Sequence, residues 1–121
     1  MVNYKVQGAI AIICVDNPPV NAVSIGVPAG VINELQKATN NPVIKGIILH
    51  GAGRGFIAGA DIKEFGKPRP PGEPTLLDLV SALENSSKPV VAAIHGMALG
   101  GGLEIAMACN YRTATKDAQL G

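Results

Sequence analysis

The stretch "HGMALGGGLE", residues 95 to 104, constrains this chain more than any other part of it. Gly100, Gly101 and Gly102 stand side by side just ahead of Glu104. Glycine there costs backbone entropy and gives the core no side chain. A fold that keeps it must need bare backbone at that spot. The apolar run "PVVAAI" precedes the stretch and "LEIAMACN" follows it, which reads as a buried strand, a turn and a short helix.

The same plan occurs once before. "IILHGAGRGFIAGADIKEF" and "AAIHGMALGGGLEIAM" each run an apolar strand into His-Gly, then small residues, then a short helix opening at an acidic residue; His50-Gly51 and His95-Gly96 lie 45 positions apart. Two copies of one strand–turn–helix unit imply a stacked, spiral-like build. Each copy aims a helix N-terminus from the same end of a strand, so the two glycine-rich turns face one cleft.

The rest of the chain fits that frame. "YKVQGAIAIICV" predicts two strands around a tight turn at Gln7-Gly8, the second uniformly apolar and buried. "DNPPVNAVS" is a turn cluster that its prolines keep out of a helix. A helix is predicted from about 28 to 39, with Pro28 in its first turn and Val31, Leu35 and Ala38 on one stripe. "IKGIILHG" reads as a buried strand and "YRTAT" as a further one. "TLLDLVSALENS" reads as a helix with Leu76, Leu79, Val80 and Leu83 on one side, and residues 66 to 75 as a Pro/Gly-rich surface loop. Strands alternating with helices give an α/β fold with parallel pairing. With four Phe and Tyr residues and no Trp, Ala, Val, Ile and Leu must fill the core.

Composition excludes several functions. A net charge of +1 with no Lys/Arg cluster gives nucleic acid nothing to hold. No apolar run reaches membrane-spanning length, and "MVNYKVQG" does not read as a signal peptide. Cys14 and Cys109 sit in apolar runs and read as buried free thiols of a reducing compartment. No metal-ligand set is assigned.

Bare turns at helix N-termini leave amide groups without intrahelical acceptors, at an electropositive end. A phosphate could use them, but the phosphate signatures fail. There is no G-x-x-x-x-G-K-[ST], and "GAGRGF" carries Phe56 where G-x-G-x-x-G needs its last glycine. A carbonyl oxygen that gains charge during reaction fits better, held by one backbone donor from each copy as an oxyanion hole.

"GFIAGADIKEF" followed by "KPVVAAIHGMALGGGLEIAMACNYR" resembles the crotonase superfamily, the enoyl-CoA hydratases and isomerases. With "NPPVNAVS" included, it is most similar to the N-terminal hydratase/isomerase part of bifunctional β-oxidation enzymes, in which a 3-hydroxyacyl-CoA dehydrogenase region follows. The resemblance implies an α/β crotonase-like spiral of repeated ββα units, incomplete at its C-terminus. It places the first oxyanion donor at Ala60, the second at Gly101, and one of two catalytic glutamates at Glu104. Ala60, Asp61, Ile62 and Lys63 match the stretch lining the coenzyme A site, with Asp61 also capping the helix that follows. Each assignment has a plainer competitor: close packing in tight turns for Ala60 and Gly101, a dipole-favoured first-turn carboxylate for Glu104, and a solvated cation for Lys63. His50 and His95 read as structural.

The implied chemistry is addition of water to a 2-enoyl-CoA thioester, with two N–H groups holding the enolate oxygen and a glutamate beside an apolar cleft exchanging protons. The alternatives are a Δ3-Δ2-enoyl-CoA isomerase of the same fold, or a non-catalytic acyl-CoA-binding piece. The partner is an acyl-CoA thioester, with a trimer-based homo-oligomer or an attached dehydrogenase domain as further expectations. No cofactor is implied, since CoA belongs to the substrate; NAD enters only with a dehydrogenase domain. The expected location is the cytoplasm, or the peroxisome in a eukaryote. The chain departs from the family pattern in two ways. The second glutamate is expected just after a segment like "AQLG" and has no candidate among these residues. Residues 1–121 therefore read as the N-terminal portion of a hydratase/isomerase domain with no second domain, its activity expected in a longer parent and negligible in this piece alone. Ile57 is bulkier than the small residue common before "AGAD" and is expected to adjust pocket packing.

Overall fold

The computed structural model describes residues 1–121. Alternating apolar residues build a five-stranded sheet of β1 (Val2–Gln7), β2 (Ile10–Val15), β3 (Gly46–Gly51), β4 (Val90–Ile94) and β6 (Tyr111–Ala114), in the order β1-β2-β3-β4-β6. The β1–β2 hairpin is antiparallel around Gly8, and every later pairing is parallel. Three helices cross between these strands: α1 (Val27–Thr39), α2 (Leu76–Glu84) and α3 (Gly101–Ala108). None is long and apolar enough to cross a membrane.

Burial in β2 alternates instead of being uniform. Ala11, Ile13 and Val15 are sealed under the helices while Ile10, Ile12 and Cys14 are half-buried on the other face. Leu49, Ala92 and Ile94 join the sealed face, and Val31, Leu35, Leu79 and Leu83 come down on it from α1 and α2. Among the 22 core residues only Phe56 is aromatic, so small and branched aliphatics do fill the interior. Both cysteines are free, Cys109 buried and Cys14 half-buried. Distant side chains finish the helices. Lys88 Nζ donates to the carbonyls of Ala38 and Asn41 at the end of α1, and Arg112 donates to those of Ala106 and Cys109 at the end of α3. Thr75 and Asp78 form a reciprocal capping box at the start of α2.

A second, narrower ladder makes the fold a spiral. After leaving β2, β3, β4 and β6 in turn, the chain lays down a short extended rung. Val23 bridges Ala60, Ile57 bridges Ala98, and β5 (Met97–Ala98) pairs in parallel with β7 (Gln119–Leu120). Each turn therefore gives one strand to the wide sheet and one rung to the ladder, and the first three turns add a helix. These rungs span one or two residues, too short to show in a hydrophobic pattern.

The two glycine-rich turns differ from each other at their helices. The first opens only a 3-10 helix, Ile62–Glu64, with Asp61 as its N-cap. The second opens a true α-helix, which begins at Gly101, two residues before the "LEIAMACN" boundary that the pattern predicts. Gly101 and Gly102 thus lie inside the first helical turn.

Candidate active site

Gly59 and Gly100 occupy left-handed backbone conformations, φ 95° and 51°, that let each rung turn sharply outward. The two turns then touch. A Cβ added to Gly59 would stand 3.8 Å from the Gly101 nitrogen, and one added to Gly101 would stand 3.9 Å from the Gly59 Cα. The Leu99 N–H donates to the Ile57 carbonyl at 3.1 Å and clamps the rungs together. Ala60 and Gly101, read from the sequence as a donor pair, are therefore brought to one place.

The hydrogen bonding of their peptide planes decides where those N–H groups point. In a trans peptide the C=O and the following N–H point in opposite directions within one plane. The Gly59 carbonyl accepts from Val23 N at 2.7 Å, which directs the Ala60 N–H away from that rung. The Gly100 carbonyl accepts from Glu104 N at 3.1 Å, which directs the Gly101 N–H out of the start of α3. As the first residue of the helix, Gly101 has no intrahelical acceptor, and no loop or cap hydrogen bond uses either N–H. Donation to each carbonyl also polarises its peptide and strengthens the N–H on the other side. Two fixed donors of this kind suit an oxygen that gains negative charge.

The two turns open on two clefts instead of the single one that the repeat implies, one at Ala60 and the other at Gly100 and Glu104. One, of about 320 Å³, runs between Pro18-Pro19 and the Ala60–Lys63 stretch. Ala60, Ile62 and Lys63 are exposed along it. Asp61 turns inward to accept from Ser24 Oγ at 2.7 Å and from Lys63 N at 3.0 Å, and these bonds, with the nearby Lys63 and Lys67 charges, hold its carboxyl below the ordinary range. The second, of about 340 Å³, lies between α2 and α3, with Gly100 and Glu104 at one end, Val80, Leu103 and Met107 along its walls, and Glu84 farther on. Glu104 is exposed in the first turn of α3.

Several residues matter here that their positions in sequence do not single out. Leu76, at the start of α2, packs its Cδ2 within 2.9 Å of where a Gly101 Cβ would sit. Glu64 accepts from Ile25 N with both carboxylate oxygens, at 2.9 and 3.0 Å, and ties the 3-10 helix to the entry of α1. Asn21 is the one fully buried polar side chain. Ile57 does not line a cleft: it is fully buried, and its carbonyl lies under Gly102. His95 Nε2 pairs with the Gly53 carbonyl at 2.8 Å, as a structural histidine does.

Known proteins resemble this chain in sequence and fold. The family model described as enoyl-CoA hydratase/isomerase matches residues 5–121. The chain is 47% identical over 117 residues to the human peroxisomal bifunctional enzyme, covering 97% of this chain and 16% of that protein. It is 42% identical over 125 residues to a probable enoyl-CoA hydratase of Bacillus subtilis, covering 99% of this chain and 48% of that one. Among solved structures, an enoyl-CoA hydratase/carnitine racemase of Magnetospirillum magneticum superposes with a TM-score of 0.89 at 29% identity, over 99% of this chain and 48% of that one. An enoyl-CoA hydratase subunit I of Geobacillus kaustophilus gives a TM-score of 0.87 at 33% identity, over 99% and 48%. The chain thus spans about half the length of these hydratase relatives and 16% of the bifunctional enzyme. On its spiral of paired rungs and on these matches, this chain belongs to the enoyl-CoA hydratase/isomerase family.

Proposed function

We propose that this site hydrates the double bond of a 2-enoyl-CoA thioester. The observation that carries the reading is the pair of peptide N–H groups at Ala60 and Gly101, on touching turns, each aimed by a hydrogen bond to the carbonyl of its own peptide. A thioester oxygen seated between them gains charge as water adds to Cβ and the enolate forms. Donors set for that charge stabilise the transition state more than the substrate, each contributing about 3–4 kcal/mol.

Glu104, in the first turn behind the Gly101 donor, takes the proton from the attacking water; the family resemblance pairs it with a second glutamate that helps protonate Cα. The cleft along Ala60–Lys63 receives the adenine end of CoA, with Asp61 holding the rim through Ser24. The groove past Glu104, walled by Val80, Leu103 and Met107, offers apolar surface beside the reacting atoms. CoA enters as part of the substrate, and no resident cofactor is proposed; NAD belongs to a dehydrogenase region where one is attached. The names of the relatives support a place in fatty-acid β-oxidation, in the peroxisome of a eukaryote or the cytoplasm of a bacterium, and a trimer-based assembly is proposed with it.

Hydration of a short 2-enoyl-CoA by the longer protein that carries the second glutamate, followed by loss of the conjugated thioester absorbance, tests the reading. Glu104→Gln keeps the shape and removes the base, so the rate should fall by about 10²–10⁴ with CoA affinity nearly unchanged. Isomerisation of a 3-enoyl-CoA that survives the substitution would favour the isomerase alternative. Binding of acyl-CoA with no turnover would favour a non-catalytic role.

A further inference from the structure

We infer that Asn21 is the positioning residue of the Ala60 donor, an inference that rests on the hydratase reading above. Asn21 is 2% exposed and is the one non-glycine residue in a left-handed conformation, φ 57°. Its Nδ2 donates to the carbonyls of Ala52, Gly55 and Phe56 at 2.8, 3.0 and 3.0 Å, and no other hydrogen bond in the chain serves these three oxygens. Its Oδ1 accepts from Asn17 N at 2.8 Å, and its own N–H donates to the Asn17 carbonyl at 2.8 Å. One side chain therefore staples the loop after β2 to the turn after β3.

The backbone on either side of the staple reaches the donor itself. The Asn21 carbonyl accepts from Ala58 N at 3.3 Å, and two residues on Val23 N donates to the Gly59 carbonyl at 2.7 Å. The second bond sets the plane of the Gly59–Ala60 peptide and hence the direction of the Ala60 N–H. Gly51 makes room for this arrangement, because a Cβ there would stand 2.8 Å from Asn21 Nδ2 and closer still to the Phe56 and Gly55 carbonyls. A farther branch, from Asn17 Nδ2 to Ser24 Oγ and on to Asp61, ties the same loop to the rim of the cleft. Without the staple, three carbonyls, that of Phe56 buried and those of Ala52 and Gly55 partly buried, lose their donor, the loop is released, and the Ala60 peptide plane is free to rotate. Asn21 touches no substrate and acts only through this plane.

Asn21→Gly tests the inference, because glycine keeps the left-handed backbone and deletes only the side chain. The probe is cinnamoyl-CoA, a conjugated thioester whose absorption moves to longer wavelength when its carbonyl oxygen is polarised. The unmodified protein should shift it. Asn21→Gly should lose most of the shift and lose about 10²-fold in kcat, with KM changed by less than about threefold, as expected when a donor used in the transition state is misaimed. Val31→Ala, which opens a core cavity under α1, should lower stability and leave the shift intact, so instability alone does not imitate the effect. A full shift with a full kcat in Asn21→Gly overturns the inference. Should that variant not fold, Asn21→Ser, with one short donor, must show a partial loss, and a full shift there overturns it too. No shift in the unmodified protein overturns the oxyanion reading itself, which is a separate failure.

Discussion

Gly102→Ala is a sharp test of why the glycines stand together. By local propensity the change should help, since alanine is favoured over glycine within a helix by about 1 kcal/mol. The tertiary contact reverses that. An alanine Cβ would lie 1.8 Å from the Ile57 carbonyl oxygen, 2.6 Å from its carbon and 3.1 Å from its Cβ. These are mostly backbone atoms of a fully buried residue, held by the Leu99 clamp, and they cannot rotate away. To reach an ordinary contact the first turn of α3 must retreat by more than an ångström. The strain should cost about 1–3 kcal/mol before the helix gain, and a clash with fixed backbone belongs at the upper end of that range, leaving about 2 kcal/mol net. Displacement of the Gly101 N–H by about 1 Å should cost about 10² in kcat/KM. Gly101→Ala is the internal comparison: its Cβ meets chiefly Leu76 Cδ2 at 2.9 Å, a side-chain end that can swing aside, so the loss of stability should be smaller. Urea unfolding and steady-state hydration of the two variants decide the matter. A Gly102→Ala protein as stable and as active as the parent would refute the argument that bare backbone is needed to seat α3 on the neighbouring rung.

Two further outcomes follow from the packing. Burial pushes the Cys109 thiol up to about 12, overriding the opposing Arg112 charge, against an ordinary value of 9.0. The folded state therefore keeps a proton that the unfolded state releases, and the contribution is complete below about pH 9 and lost as pH rises towards 12, by up to ~1.4 kcal/mol per pH unit. Cys109→Ala should flatten the alkaline fall in urea midpoint, leaving a weaker slope from Cys14, whose thiol is also raised by burial and by Asp16; an unaltered fall would contradict this. Thr75→Ala removes the capping box of α2 and should cost about 1 kcal/mol, read from the same unfolding curves. No change in midpoint there would mean that tertiary packing alone holds the helix.

The wide sheet and its helices were legible because their apolar residues repeat at the strand and helix periods over many positions. Val31, Leu35 and Ala38 had to share a face, and they do. The ladder was not legible, because a rung such as Met97–Ala98 is too short to carry a period. The start of α3 was misplaced for a different reason. Glycine reads locally as a helix breaker, and only contact with Ile57 explains why Gly102 belongs inside the first turn. The helix of the first copy shrank to a 3-10 turn because Gly66, with φ 76°, and the prolines of the loop end it at once. In the site, the bare turns recurring before acidic residues called for one backbone donor from each copy, and the family resemblance put those donors at Ala60 and Gly101. Asn21 did not, since an asparagine among "DNPPVNAVS" reads as an ordinary turn residue and its carbonyl partners lie 31 to 35 positions away.

That recurrence also explains why a spiral suits this chemistry. Two N–H groups that share one oxygen at ~2.9 Å, approaching from directions about 110° apart, must have nitrogens about 4.8 Å apart. Neighbouring strands in a sheet are spaced at about the same distance, 4.7–4.9 Å. Donors at equivalent turns of adjacent rungs therefore meet the requirement without special distortion, provided that each turn is stripped of side chains and each peptide plane is held by its carbonyl. Gly59 and Gly100 supply the stripped turns, and Val23 N and Glu104 N hold the planes. A hairpin could not do this as simply, because its two strands run in opposite directions and present unlike ends at the same place. Parallel rungs laid down by a repeating unit present the same end twice, so one repeated sequence plan yields a matched pair of donors.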